Sequence, residues 1–390
     1  MNCKVSHPTK IVECEIDLPA SKSISNRLLI IQAISKEMFN IENLSDSEDT
    51  KSLKKALYSK KNIIDIGHAG TSFRFLTSFL SIQNGKGVIL TGSERMKKRP
   101  IKGLVKVLQK MGAKIEYLEN EGFPPLTISG SRLKGGKVEI DGNVSSQFIT
   151  SILLVAPILK NGIELKINGK LVSKPYIKMT LKLMEEFGVK CTWKNNIIKI
   201  KSQDYIAKNY KVESDWSAAS FWFEIAALSK SCNIKMNGLQ QNSIQGDERS
   251  IKLFNTLGVN SKFENRKLIL TKNQIISACK TYNLIENPDL YQPLRCTLFS
   301  KNIAANFSGL KTLKNKESDR ILSVDTELKK LNSTRIIDTY KDHRMAMSFA
   351  PLCLKFRELQ INDMEVVGKS YPNFWQDLKK AEFIVSPLSD

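Results

Sequence analysis

The sequence lacks the spacings and runs that mark several large classes of protein. Its seven cysteines (Cys3, Cys14, Cys191, Cys232, Cys279, Cys296 and Cys353) are odd in number, widely spread and free of any CxxC pair. That argues against a disulfide framework or zinc site and for reduced thiols. Walker A, Rossmann glycine and metal-ligand patterns are missing, so no metal and no cofactor is expected. The longest apolar stretch, Phe148 to Leu159, is interrupted by Thr150, Ser151 and Pro157. It falls well short of the roughly 20 residues that a membrane span needs. The first 20 residues carry acids and a proline where a signal peptide has an apolar core. A soluble cytoplasmic protein without membrane contact is the expectation. No Pro/Gly/Ser-rich linker splits the chain. Arginine is also scarce, at 12 of the 60 basic residues.

What is present bounds the rest. The 390 residues are 41% hydrophobic, enough for a sizeable core and longer than one ordinary domain, which suggests two lobes. The formal net charge is +21. Most of it is lysine, spread everywhere, as on a bland solvated surface. The charge alone does not separate nucleic acid, membrane or a small phosphate as the anionic partner. The placement of the few arginines is the sharper signal.

One pattern recurs. Leu104 to Gly112 reads as an amphipathic helix, a glycine stop and then a strand, and Thr180 to Gly188 repeats it. Ile251 to Gly258 does so again, and Asp325 to Asn332 is a fourth copy with Asn in the glycine's role. Gly and Asn both tolerate the left-handed conformation that ends helices. Such junctions occur in any α/β protein, but their even spacing suggests a repeated α/β unit. Gly87 to Thr91, Lys137 to Ile140, Ile163 to Ile167 and Leu268 to Thr271 read as strands.

Cations gather at predicted helix mouths. Lys22 opens a helix in which Ser23 and Arg27 share a face. Arg74 lies in the first turn after the small-residue loop at Gly70, and Lys316 to Arg320 opens a third helix. Asp342-His343-Arg344 opens a fourth, continuing from Met345 to Leu354. A helix start disfavours cations, and two of them about 6 Å apart repel by about 3 kcal/mol at an effective dielectric near 20. Any one of these residues has a structural salt bridge as its ordinary explanation. The set, extended by Arg95 and Arg99, suggests a small polyanionic substrate held by backbone N–H groups and guanidinium forks. Ser145-Ser146-Gln147 reads as an N-cap or as a binding segment. Ser173 with Tyr176, and Asn287-Pro288-Asp289, read equally as turns. Asp342 beside His343 does not make a triad, because adjacent residues rarely have that geometry.

Nine segments match one family in its order: LPASKSISNR (18–27), GHAGTSFRFLT (67–77), LTGSERMKKRPI (90–101), ENEGFPPL (119–126), GNVSSQFITSILLVAP (142–157), LVSKPYI (171–177), KESDRI (316–321), DTYKDHRMAM (338–347) and KSYPNFW (369–375). Nearly the whole chain resembles the 5-enolpyruvylshikimate-3-phosphate synthases. The resemblance implies an α/β fold of two lobes, 20–214 and 1–19 with 215–390. Each lobe would hold three βαβαββ repeats about a pseudo-threefold axis, and the lobes would close over substrates. It implies transfer of the enolpyruvyl group of phosphoenolpyruvate to the 5-hydroxyl of shikimate 3-phosphate, with release of phosphate. The protein would be a monomer in chorismate and aromatic amino-acid biosynthesis, with no cofactor and no nucleic acid.

By the same resemblance, Lys22 touches both substrates. Ser23, Arg27, Ser145, Ser146, Ser173, Tyr176 and Lys316 would hold shikimate 3-phosphate. Gly70, Arg99, Arg320, Arg344 and Lys369 would hold phosphoenolpyruvate, and Gln147 would serve both. Asp289, at the shikimate 3-phosphate, would take the hydroxyl proton, Glu317 would protonate the methylene carbon, and Lys22 would assist. Five positions depart from the family pattern: Ala20, His68, Phe75, Trp216 and Thr312. An enolpyruvyl transferase for a nucleotide sugar is the alternative, opposed by the SKSxSNR and SSQ segments. A non-catalytic nucleic-acid-binding protein is more remote, because the arginines fall in Gly/Ser helix mouths and are not interleaved with aromatics.

Overall fold

A computed structural model describes residues 1–390 apart from 84, 86, 144, 275–279 and 389–390. Val144 and Cys279 therefore lie outside the described residues, and the other six cysteines are free thiols. The chain divides into two compact units: a central one, Lys22–Val212, and a terminal one, Met1–Ser21 with Glu213–Asp390. Within the terminal unit the chain on either side of the central excursion pairs with itself. Ser21 N donates to Glu213 O at 2.9 Å, and Asp215 N to Pro19 O at 2.8 Å.

The strands form where apolar residues alternate. In Gly136–Asp141, Val138 and Ile140 point inward and their neighbours outward. This strand pairs in parallel with Ile163–Asn168, which pairs antiparallel with Ile197–Ile200, and that with Cys191–Lys194. The second central sheet runs Ile63–Asp65, Val88–Thr91, Leu126–Ser129, Lys114–Tyr117, again with only its first pair parallel. The terminal unit repeats the arrangement with strands Ile11–Asp17, Ser231–Asn237, Lys267–Lys272 and Val259–Glu264. Its other four-stranded sheet runs Ile336–Ile337, Glu358–Ile361, Asn2–Ser6, Ile384–Leu388. Each unit also holds one short parallel pair, Ile41–Glu42 with Tyr210–Lys211 and Thr281–Asn283 with Asn306–Ser308.

Three of the helix stops are as the sequence suggests. Gly112, Gly188 and Gly258 have φ of 103°, 79° and 88°, each just before a strand. Asn332 does not share the role, because its φ is not positive. The chain leaves that helix through a tight turn in which Ser333 N and Thr334 N both donate to Lys330 O at 2.9 Å. The helix expected to run on to Leu354 stops at Phe349; a 3-10 turn containing Pro351 intervenes before Cys353–Phe356. Proline lacks the N–H that the helix ladder needs.

The helix Trp216–Leu228 is buried along almost its whole length and anchors the terminal core. Each large apolar side chain there contributes about 1.5–3 kcal/mol by burial. One polar residue breaks the pattern. Glu224 is fully buried, and neither carboxyl oxygen has a hydrogen-bond partner among the described residues. Burial pushes its carboxyl well above the ordinary range. The folded chain thus keeps a proton that the unfolded chain loses near pH 4.3, so this group makes stability fall as pH rises above that value. Glu224→Gln should therefore gain stability relative to the parent between about pH 5 and pH 8, read by urea denaturation. A pH-independent difference would mean that Glu224 is ionised in the fold.

Candidate active site

The terminal unit gathers charge around Arg320. This arginine begins a helix whose N-cap, Asp319, accepts from Ile321 N and Leu322 N. Its guanidinium is only 2% exposed and meets three carboxylates. Nη1 donates to Asp289 at 2.9 Å, Nη2 to Glu317 at 2.8 Å, and Nε to Asp342 at 2.8 Å. Burial alone would lower its proton affinity, but Asp342, Glu317 and Asp289 outweigh burial and raise it. Three more cations surround the same acids. Lys316 Nζ lies 3.5 Å from Asp289 and Lys369 Nζ 3.2 Å from Glu317. Arg344 donates to the Asp289 carboxylate at 3.3 Å and to its backbone carbonyl at 3.0 Å.

The two carboxylates expected to move protons are thus bridged by one arginine. Burial pushes the Asp289 carboxyl up, yet Arg344, Lys316 and Arg320 together hold it well below the usual range. Asp289 is an ionised acceptor at neutral pH. Asp342 had no role in the sequence reading beyond its place beside His343. It caps the helix His343–Phe349, accepting from Arg344 N at 3.0 Å, while it grips Arg320. An Asp at a helix start was the available signal. His343 Nδ1 lies 3.6 Å from Asp342, too long for a good hydrogen bond.

The central unit holds the other expected residues. Lys22, the first residue of its helix, pairs with Asp49 at 3.1 Å. Asp49 lies in a mixed polar stretch that carried no sequence signal. Its backbone carbonyl accepts from Ser72 Oγ at 3.0 Å, and neighbouring Thr71 accepts from Gln147 Nε2 at 2.9 Å. The N-terminal ends of three helices, at Lys22, Gly70 and Ser146, therefore meet. Ser145 is the N-cap of the last, accepting from Gln147 N, and Ser146 is buried just inside it. Gly70 is backed by cations: a β-carbon there would lie 2.7 Å from Arg99 Cζ and 2.8 Å from Arg74 Nη1. Both guanidiniums are buried, which suits an anion.

Arg27 reaches a fourth helix. It donates to Thr180 Oγ1 at 2.8 Å, to Ser23 O at 2.7 Å and to Tyr176 O at 3.2 Å. Burial lowers its pKa to about 10, and its head sits 5.6 Å from the Phe75 ring. Ser173, the N-cap of that helix, has a φ of 55°. A non-glycine residue held there costs about 1 kcal/mol or more. Of the departures, His68 Nδ1 bonds Ser93 Oγ at 2.8 Å, and Phe75 is buried. Trp216 follows Asp215, the N-cap of its helix, and Thr312 Oγ1 is buried. Among the described residues no group of three or more His, Cys, Asp or Glu is placed to hold a metal ion. None of their helices is long and apolar enough to cross a membrane.

Fold and site together define a class: a mixed α/β protein whose helix mouths and ion networks suit small molecules with several negative charges. Comparison with known proteins narrows it. The family model for EPSP synthase (3-phosphoshikimate 1-carboxyvinyltransferase) matches residues 6–59 and 51–378. A Bacteroides fragilis (strain YCH46) protein named 3-phosphoshikimate 1-carboxyvinyltransferase is 44% identical over 98% of both chains. One of the same name from Buchnera aphidicola subsp. Cinara cedri is 36% identical over 95% of both. An EPSP synthase structure from Acinetobacter baumannii shares the fold at a TM-score of 0.76 and 22% identity, covering 99% of this chain and all of the other. The chain belongs to the EPSP synthase family.

Gly70→Ala tests the Arg99 cradle. The added methyl displaces the Arg99 head, so KM for the anionic substrate it meets should rise about tenfold, the cost of one charge-assisted hydrogen bond. The thermal midpoint should barely change. An unaltered KM would remove Arg99 from the binding site.

Proposed function

We propose that this chain transfers the enolpyruvyl group of phosphoenolpyruvate to the 5-hydroxyl of shikimate 3-phosphate and releases phosphate. Membership of the family supports the reaction. The observation that carries the residue roles is the Arg320 fork, which ties two carboxylates into a nest of four cations. Each substrate brings a phosphate and a carboxylate, anions that these cations attract. Arg320, Arg344 and Lys369, with Gly70 and Arg99, serve phosphoenolpyruvate. Ser23, Arg27, Ser145, Ser146, Ser173, Tyr176 and Lys316 serve shikimate 3-phosphate; Lys22 and Gln147 serve both.

In the addition step Asp289 takes the proton of the 5-hydroxyl as its oxygen bonds to C2 of phosphoenolpyruvate. Glu317 gives a proton to C3, and a tetrahedral intermediate forms. In the elimination step the C2–O bond to phosphate breaks, the proton held by Asp289 passes to the departing phosphate, and the Glu317 carboxylate takes a proton back from C3, so both acids return to their starting states. Orientation by the charged handles lowers the barrier, because the reacting atoms are held while the charge moves. The protein works as a cytoplasmic monomer without a cofactor.

Purified protein should release phosphate only when both substrates are present, with no divalent metal added. Turnover with UDP-N-acetylglucosamine in place of shikimate 3-phosphate would overturn the assignment. Asp289→Asn and Glu317→Gln should each lose about 100-fold or more in kcat, the scale of general acid–base catalysis, with KM changed only a few-fold. Near-normal turnover in either variant removes that residue from proton transfer.

A further inference from the structure

A second acid lies behind Asp289. Asp247 sits in the 3-10 turn Gly246–Arg249, packed on the helix that starts at Trp216. It is 3% exposed, within a chain stretch that the sequence reading left without any role. One carboxylate oxygen accepts from Ser217 Oγ at 2.5 Å, and the other from Asn287 Nδ2 at 3.3 Å. Asn287 is the N-cap of the short turn Pro288–Leu290, which carries Asp289. Arg249 Nη1 reaches the other end of the same amide, Asn287 Oδ1, at 3.5 Å. Asn287 N also donates to Leu284 O, and Leu290 N to Asn287 O, both at 3.1 Å. The turn that aims Asp289 is therefore tied to Asp247 through the Asn287 amide.

We infer that Asp247 is a positioning residue for Asp289: it fixes the turn that carries Asp289 and sets, by its own charge, how readily Asp289 takes a proton. The inference rests on the reading of Asp289 as the base. The physical problem is that Arg344, Lys316 and Arg320 make Asp289 a poor base. A neighbouring negative charge counters them. Burial, then the charge of Asp289, raises the Asp247 carboxyl to about 6, while the Ser217 hydrogen bond, Arg344 and Asn287 pull it down. Other charged groups nearby are Arg249, whose head is turned to Asn287, and Asp215, the cap of the adjoining helix.

The sign follows from coupling. Below about pH 6 Asp247 is neutral, and Glu317 is the acid left beside Asp289 to offset the cations. Above it Asp247 is ionised, and its repulsion raises the proton affinity of Asp289. When Asp289 accepts the hydroxyl proton, that repulsion is relieved. The relief exists only in the reacting state, so it speeds the step and does not merely tighten binding.

The test is steady-state kinetics of the full-length protein from about pH 5 to pH 9. The parent kcat should rise through about pH 6. Asp247→Asn should lower kcat about tenfold at neutral pH, at the low end of acid–base effects, and lose that rise. KM for both substrates should stay within about twofold, since no substrate contact is removed. Asp247→Glu should recover part of the rate and the rise. Ser217→Ala, which deletes the donor to the ionised form, should move the rise about half a pH unit or more to higher pH, even if Asp247→Asn fails to fold. Parent kcat and pH profile in Asp247→Asn would overturn the inference. So would a loss of rate with the rise intact, which would make Asp247 only structural, or an unmoved rise in Ser217→Ala. Asp289→Asn, run alongside, separates the two levels: if it turns over normally, the base assignment fails whatever Asp247 does.

Discussion

The terminal unit is organised around one buried guanidinium. Arg320 satisfies Asp289, Glu317 and Asp342 at once, and those partners come from three separate stretches of chain: the turn at 288–290, the loop at 316–319 and the cap at 342. A buried charge of this kind contributes little net stability when fully paired, but losing one partner leaves a desolvated charge and typically costs about 3–5 kcal/mol. The network is thus better understood as a device for register than as glue. It brings two carboxylates to fixed distances from one cation before any substrate arrives. The same fork limits the chemistry, because a carboxylate satisfied by arginine has little appetite for a proton. An acid behind the base, screened from solvent, is one of the few ways to restore that appetite without dismantling the fork.

The central unit solves a related problem differently. Arg27 and Arg74 are buried, and both lean on backbone carbonyls. Arg27 uses the Ser23 and Tyr176 carbonyls with the Thr180 hydroxyl, and Arg74 uses the Gly70 carbonyl at 2.8 Å and the Pro100 carbonyl at 3.4 Å. Carbonyl dipoles orient a guanidinium but do not neutralise it, so the positive charge stays available to an anion. Lys22, by contrast, is held by Asp49. One unit balances its cations with carboxylates. The other sets Arg27 and Arg74 against backbone carbonyls.

Much of this was legible in the chain, for identifiable reasons. Strands with regular alternation and helices ended by Gly112, Gly188 and Gly258 are local features, written in the residues that form them. Asn332 failed because its tolerance of the left-handed region is permission, not instruction, and a tight turn at Lys330 satisfied the carbonyls instead. The continuous helix past Phe349 failed at Pro351, a breaker visible in the sequence. Candidate site residues stand out by motif because their segments are compact. Asp49, Asp342 and Asp247 escaped because their importance lies in what they touch across 22 to 40 positions of chain, which no local pattern encodes.

The net charge of +21 is resolved by the same distinction between local and distant partners. Several lysines that contribute to it lie on the surface in pairs such as Lys166 with Glu139, Lys199 with Glu164 and Lys208 with Glu186. Exposed pairs of this kind are worth about 0–1 kcal/mol and weaken with salt. They hold no geometry that chemistry could use. The cations at the candidate site are buried or partly buried, and Lys22, Arg27, Lys316, Arg320, Arg344 and Lys369 are each held by a named acid or carbonyl. A guanidinium removed from water at 2% exposure interacts several-fold more strongly with an incoming phosphate than a solvated ammonium does, because the effective dielectric around it is lower. Burial, more than the number of charges, is therefore what turns a basic chain into a selective one.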